Sequence, residues 1–211
     1  MEEENKVFKE IVEWSVCIFL ALIIALATRF YIVAPIVVKQ KSMYPTLHEN
    51  QRILINRSKR ITNGDYERGD IVTFEAPSEI RQGADVDVSN VVAIYNYEPE
   101  GLMDKLVYYV LELNKTSYIK RVIGVEGDRV QIKDGRVYVN DEEIIEEYLP
   151  KGTTTKTVYY NDVTVPEGCI YVLGDNRDES MDSRTFGCIP LEKVEGKVSL
   201  RYWPLSEFGG V

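Results

Sequence analysis

The chain has 211 residues, 45% of them hydrophobic, and a formal net charge of −9 at pH 7. This length fits one modest domain with an insertion, and the acidic balance argues against a nucleic-acid binder, which needs basic surface to displace counterions. Three cysteines cannot build a dense disulfide framework, and no CxxC pair or Cys/His cluster has zinc spacing, so neither a metal nor another cofactor is expected.

The first element in chain order is a membrane-span candidate. From Ile11 to Thr28 the single charged residue is Glu13. A helix over these residues reaches about 27 Å at ~1.5 Å per residue, close to a ~30 Å hydrocarbon core. Trp14 and the Phe30–Tyr31 pair stand where interfacial aromatics sit, and Arg29 is placed to snorkel. Residues 1–36 are therefore read as a short tip and a single-pass anchor. Ala25-Leu26-Ala27 has the small residues of a secretory cleavage site, but the acidic start MEEEN is wrong for a signal peptide. A buried core helix is the weaker reading, because the segment is apolar on every face. Lys6 and Lys9 before the span nearly balance Arg29, Lys39 and Lys41 after it, so charge does not decide orientation.

Beyond Pro35 the chain reads as β-structure. Runs rich in Val, Ile and Tyr predict strands at RILIN (52–56), DIVTFE (70–75), VVAIYNY (91–97), YIKRVIGV (118–125), DRVQI (128–132), RVYVN (136–140), CIYVLG (169–174) and KVSLRYW (197–203). Asp134-Gly135 between two of these runs predicts a hairpin, and 131–168 reads as a hairpin or cap region. A polar stretch over about 77–117 reads as an insertion. Within it, 101–115 predicts a helix with Leu102, Leu106, Val110 and Leu113 on one face. Residues 37–211 thus form a mainly β domain, a small barrel or packed sheets.

Three stretches hold candidate chemistry. In KSMYPTL (41–47), Ser42 directly follows the anchor region, in a loop stiffened by Pro45. A Ser-His-Asp triad would have to use His48, the only histidine, from the same loop, whereas the base normally comes from another element. The next choice of base is a lysine whose burial lowers its pKa. Lys120 in SYIKRVIGVEGD fits, with Tyr118 and Val122 on its own side of a strand, although an edge lysine facing water has the same pattern. The third stretch, GDNRDESMDSRTFG (174–187), lacks the spacing of a calcium loop. It reads as a solvated loop or as support for a buried amine. Cys169 and Cys188 are expected as free thiols.

Four stretches occur in the order found in type I signal peptidases: SMYPTL (42–47), RGDIV (68–72), YIKRVIGVEGD (118–128) and GDNRDESMDSR (174–184). The ending GKVSLRYWPL (196–205) is also similar, so the chain resembles these membrane-bound Ser/Lys serine proteases over most of its length outside 77–117. The resemblance implies Ser42 as nucleophile, Lys120 as general base, Ser180 as the hydroxyl that orients the lysine, and Asp182 and Arg184 as a supporting ion pair. It also implies a substrate cleft between the strands before Ser42 (Val37–Lys41, with Val38 and Gln40 binding substrate) and before Lys120 (Ser117–Lys120), with Met43, Leu47, Tyr118 and Ile119 near the specificity pocket. The implied partners are preproteins carrying signal peptides and the lipid bilayer of the plasma membrane, with the catalytic domain on the extracytoplasmic side. Two positions depart from the pattern. Glu126 stands where proline is frequent, and Gln40 where some members carry an oxyanion-donating serine.

Two rivals remain on sequence. Ser117-Tyr118-Ile119-Lys120 spells S-x-x-K, but the K-T-G and S-D-N partners of penicillin-binding enzymes are missing. A non-enzymatic anchored β-domain that binds a partner protein would explain the anchor but not the four ordered motifs.

Overall fold

The computed structural model describes residues 2–59, 66–80, 83, 86, 88–113 and 115–211. Helix α1, Glu2–Tyr31, is exposed along most of its length and becomes half-buried near its C-terminal end, at Leu26 and Thr28–Phe30, where it meets the rest of the chain. Over Asn5–Tyr31 it is long and apolar enough to cross a membrane.

The first sheet strand, β1 (Val33–Val37), follows α1 almost without a linker and lies largely inside the segment that the sequence assigns to the anchor. The chain continues through β2 (Arg52–Asn56), β3 (Ile71–Glu75), β4 (Ser117–Val125), β5 (Arg129–Lys133), β6 (Arg136–Val139) and β7 (Glu142–Glu143). It ends with β8 (Asp162–Thr164), β9 (Cys169–Leu173), β10 (Ile189–Pro190), β11 (Val194–Trp203) and β12 (Gly209–Gly210). These build a large sheet of order β1-β2-β11-β3-β4-β9-β10, with β12 on β11, and a smaller one of order β7-β6-β5-β8. Every named pairing is antiparallel.

The sequence explains the strands individually. β2 and β5 bury alternate residues, as half-covered strands do, whereas β9, a continuous apolar run, and β3, which includes Thr73 and Glu75, are buried throughout inside the sheet. Asp134 and Gly135, with φ of 54° and 77°, make the tight β5–β6 hairpin. Ile123, Val130, Ile132, Val137, Tyr171 and Leu173 pack between the two sheets. A separate cluster of Ala34, Val38, Met43, Leu47, Ile53, Ile55, Ile71 and Val198 lies under the β1–β2 end.

The insertion differs from expectation. VVAIYNY forms no strand; Val92 and Ala93 dock beside β10 through isolated backbone bonds, Cys188 N–H to the Val91 carbonyl (2.7 Å) and Ala93 N–H to the Cys188 carbonyl (2.9 Å). Its apolar residues pack as side chains without joining a ladder. The helix is shorter than 101–115: α2 spans Gly101–Lys105 and runs on as a π turn over Leu106–Val110. Its buried residue is Tyr108, while Leu102, Leu106 and Leu113 face outward. Residues 81, 82, 84, 85, 87 and 114 of the insertion lie outside the described residues.

Candidate active site

Ser42 lies in the turn between β1 and β2. Val38 anchors the base of the loop, its N–H bonding the Gln51 carbonyl (2.9 Å) and its carbonyl accepting from Asn50 N–H (2.8 Å). Leu47 N–H closes a helical-type turn on the Met43 carbonyl (2.8 Å), and both side chains are buried in the core. Apolar burial on either side of Ser42 thus fixes a serine that carries no ladder bonds of its own. The loop is also gripped from the 174–184 segment, where Asn176 N–H donates to the Ser42 carbonyl (3.0 Å) and the Asn176 amide to the Lys41 carbonyl (3.3 Å).

β4 delivers Lys120. Its first residues, Ser117–Arg121, pair with β3, and its second half, from Arg121, pairs with β9. Lys120 Nζ stands 2.7 Å from Ser42 Oγ and 3.0 Å from the Ile119 carbonyl oxygen. The residue is 1% exposed and its amine lies 5.3 Å from the Tyr118 ring centre. Burial pulls the Lys120 pKa down to about 8 from an ordinary 10.5; Asp182 and Asp175 oppose that fall, and Arg184 adds to it. The water-facing alternative for Lys120 is therefore excluded. His48 is exposed and stacks edgewise on Tyr44, away from a triad geometry.

Residues 11–203 match the family model described as signal peptidase, peptidase S26. The chain belongs to this family. Signal peptidase IB of Staphylococcus aureus strain COL is 34% identical over 216 residues, covering 95% of this chain and 93% of that protein. Signal peptidase I S of Bacillus subtilis strain 168 is 31% identical over 208 residues, covering 94% and 92%. A crystal structure of a signal peptidase I from Enterococcus faecalis V583 aligns with a TM-score of 0.41 at 26% identity, covering 64% of this chain and 98% of that one. Family membership makes the chain a serine peptidase of the signal peptidase type and disfavours the non-enzymatic partner-binding reading.

The other residues expected of a signal peptidase fall into three groups. Asp182 and Arg184 form a buried, two-pronged ion pair, Nε to Oδ1 and Nη2 to Oδ2 both at 2.8 Å. Asp182 also takes the Gly174 N–H (3.1 Å), and Arg184 donates to the Arg177 carbonyl (2.8 Å), so the pair staples the whole 174–184 loop. Ser180 departs from expectation. Its Oγ is buried beside Gly174 without a hydrogen-bond partner among the described residues, and the Ile119 carbonyl, not Ser180, holds the lysine amine. The expected substrate residues divide: Val38, Gln40, Met43 and Ile119 line a cavity of about 520 Å³ that includes Ser42. Leu47 is wholly buried in the core beneath the loop, and Tyr118 opens onto a different cavity with Glu75 and Tyr108.

Sequence reasoning missed a hub. Asp175 accepts from Arg121 Nε and Nη2 (2.9 and 2.7 Å) and from the Thr46 hydroxyl (2.5 Å), tying β4, the Ser42 loop and the 174–184 loop together. The partners are distant in sequence, so the clustered charges of GDNRD were the only available signal. Gly174 is a second such position: a Cβ there would lie 2.1 Å from Ser180 Oγ and 2.6 Å from the Ser42 carbonyl oxygen.

Proposed function

We propose that this chain is a membrane-anchored endopeptidase that removes signal peptides from secreted preproteins, using Ser42 as nucleophile and Lys120 as general base. It works on the extracytoplasmic side of the plasma membrane, held there by α1 as a single span. The observation that carries this reading is the 2.7 Å approach of a fully buried lysine amine to the serine hydroxyl. A pKa of about 8 leaves roughly one lysine in ten uncharged at pH 7, enough to act as a base.

The cleft suits an extended peptide. β1 ends the large sheet, and Ser117–Lys120 of β4 has no β9 partner, so two unpaired strand edges border the cavity. A substrate segment adds to these edges through its backbone. Neutral Lys120 takes the Ser42 proton as Oγ attacks the scissile carbonyl. The resulting ammonium then protonates the departing amine, leaving an ester on Ser42. Lys120, neutral again, deprotonates the water that hydrolyses the ester. The Ser42 N–H donates to no acceptor among the described residues and is free for the oxyanion. Gln40, exposed on the cavity wall, is placed to supply a second donor. Residues 32–41, mostly strand β1 and the turn after it, separate Ser42 from the end of α1, which supports a scissile bond near the membrane.

The test is cleavage of a preprotein by the full chain in vesicles. Ser42→Ala and Lys120→Ala should both stop processing without unfolding the chain. Lys120→Arg should fail as well, because guanidinium keeps its proton. Near-parental cleavage by either alanine variant refutes the assignment.

A further inference from the structure

The insertion helix is turned inside out. With about 3.6 residues per turn, Leu102, Met103 and Leu106 share one arc of α2 and the following turn, while Asp104 and Lys105 occupy the other. In an ordinary surface helix the apolar arc is buried. Here Leu102 is 83% exposed, Met103 69% and Leu106 39%, and Leu111 and Leu113 continue the exposed apolar surface beyond the π turn. Exposing so many large apolar side chains on one short segment is unfavourable in water and marks a contact surface.

The same segment is fastened to the end of α1. Glu112 accepts from Arg29, in the last turn of α1, at 3.2 Å, and from Arg57, which is itself 1% exposed. Arg57 in turn donates to the Arg29 carbonyl (3.3 Å) and, through its backbone, to the Ile32 carbonyl (2.8 Å). This ion triad sets Glu112 at the level where the apolar band of α1 ends. Leu102 is ten residues away, at most about 20 Å: about 12 Å of helical turns to Val110 and two residues beyond them. The exposed face is therefore continuous with the point at which the anchor would leave the bilayer.

We propose that the 101–113 segment is a second membrane contact, an interfacial helix whose Leu102, Met103 and Leu106 face enters the boundary between headgroups and acyl chains. Resting on the anchored reading, it extends that reading to how the cleft is held. Glu112, Lys115 and Thr116 wall the cavity that contains Ser42, so burying the helix in lipid fixes the cleft at the bilayer surface, where an emerging signal peptide arrives.

The test places an environment-sensitive fluorophore on single cysteines at Met103, at Ile24 in α1, and at Ile145, which is 87% exposed. The background is Cys17→Ser, with Cys169 and Cys188 buried, in the full chain reconstituted in vesicles of anionic phospholipid. The Met103 probe should be blue-shifted, quenched by doxyl-labelled lipid and protected from iodide, as at Ile24, whereas Ile145 should be open to iodide. Iodide quenching at Met103 with lipid quenching at Ile24 overturns the proposal and leaves the anchor standing. Iodide quenching at both sites removes the anchor and the proposal together. Protection of Met103 from both quenchers means a protein covers the helix, which also overturns it. In addition, the Leu102→Glu/Met103→Glu double variant should raise KM for vesicle-borne preprotein by roughly tenfold. It should leave hydrolysis of a short soluble peptide unchanged, and equal KM values for the two chains count against the proposal.

Discussion

Replacing Lys120 by methionine should stabilise the chain near neutrality and destabilise it in alkali. Burial lowers the Lys120 pKa from 10.5 to about 8. Below about pH 8 both the folded and unfolded chains hold the proton, and the folded parent bears the whole penalty of a buried ammonium, about 3 kcal/mol. Between about pH 8 and 10.5 folding releases the proton, so parental stability rises by about 1.4 kcal/mol per pH unit. Above the unfolded value the penalty is gone. Methionine has similar volume and no charge, but it forfeits the contacts to Ser42 and Ile119, worth ~1 kcal/mol each. Lys120→Met should then be about 1 kcal/mol more stable than the parent at pH 7, equal to it near pH 9, and about 1 kcal/mol less stable at pH 9.5. Other alkaline titrations are common to both chains and cancel in the difference. Denaturant unfolding of both chains in the same detergent at several pH values reads this directly. Stability curves that stay parallel from pH 7 to 9.5 would refute the idea that the lysine is buried at an energetic cost.

With neutral Lys120 as the proposed base, the kcat/KM for a peptide substrate should rise tenfold per pH unit on the acid side and level off above about pH 8; a flat profile removes lysine as the base. Gly174→Ala should lower kcat at least a hundredfold, since its Cβ meets the Ser42 carbonyl oxygen at 2.6 Å and that backbone atom moves only with Ser42, the proposed nucleophile. Removing the Ser180 side chain as well should not restore activity. Asp175→Asn removes one charge of a buried pair and should cost about 2–4 kcal/mol in unfolding measurements. Because Asp175 raises the Lys120 pKa, the same variant should move the acid limb of the rate profile to lower pH. An unmoved limb would show that Asp175 does not act on the amine.

Local chemistry was enough for much of this protein. The apolar run of α1, the alternation in β2 and β5, and the Asp134-Gly135 turn depend on residues within a few positions of one another, so the order of residues determines them. The motif stretches pointed to Ser42 and Lys120 through the resemblance to signal peptidases, which does not depend on the path the chain takes between them. Tertiary structure decided the rest. Strand periodicity left Lys120 free to face either water or the core; the packing of β4 against the Ser42 loop settled that it is buried, and with it the pKa. Ser180 sits in the expected loop, yet a neighbouring carbonyl holds the lysine, an angstrom-scale outcome beyond any sequence pattern. The 101–113 segment has helical periodicity, but periodicity records only that a face is apolar. Which medium covers that face depends on where Arg29, Arg57 and Glu112, far apart along the chain, bring it to rest.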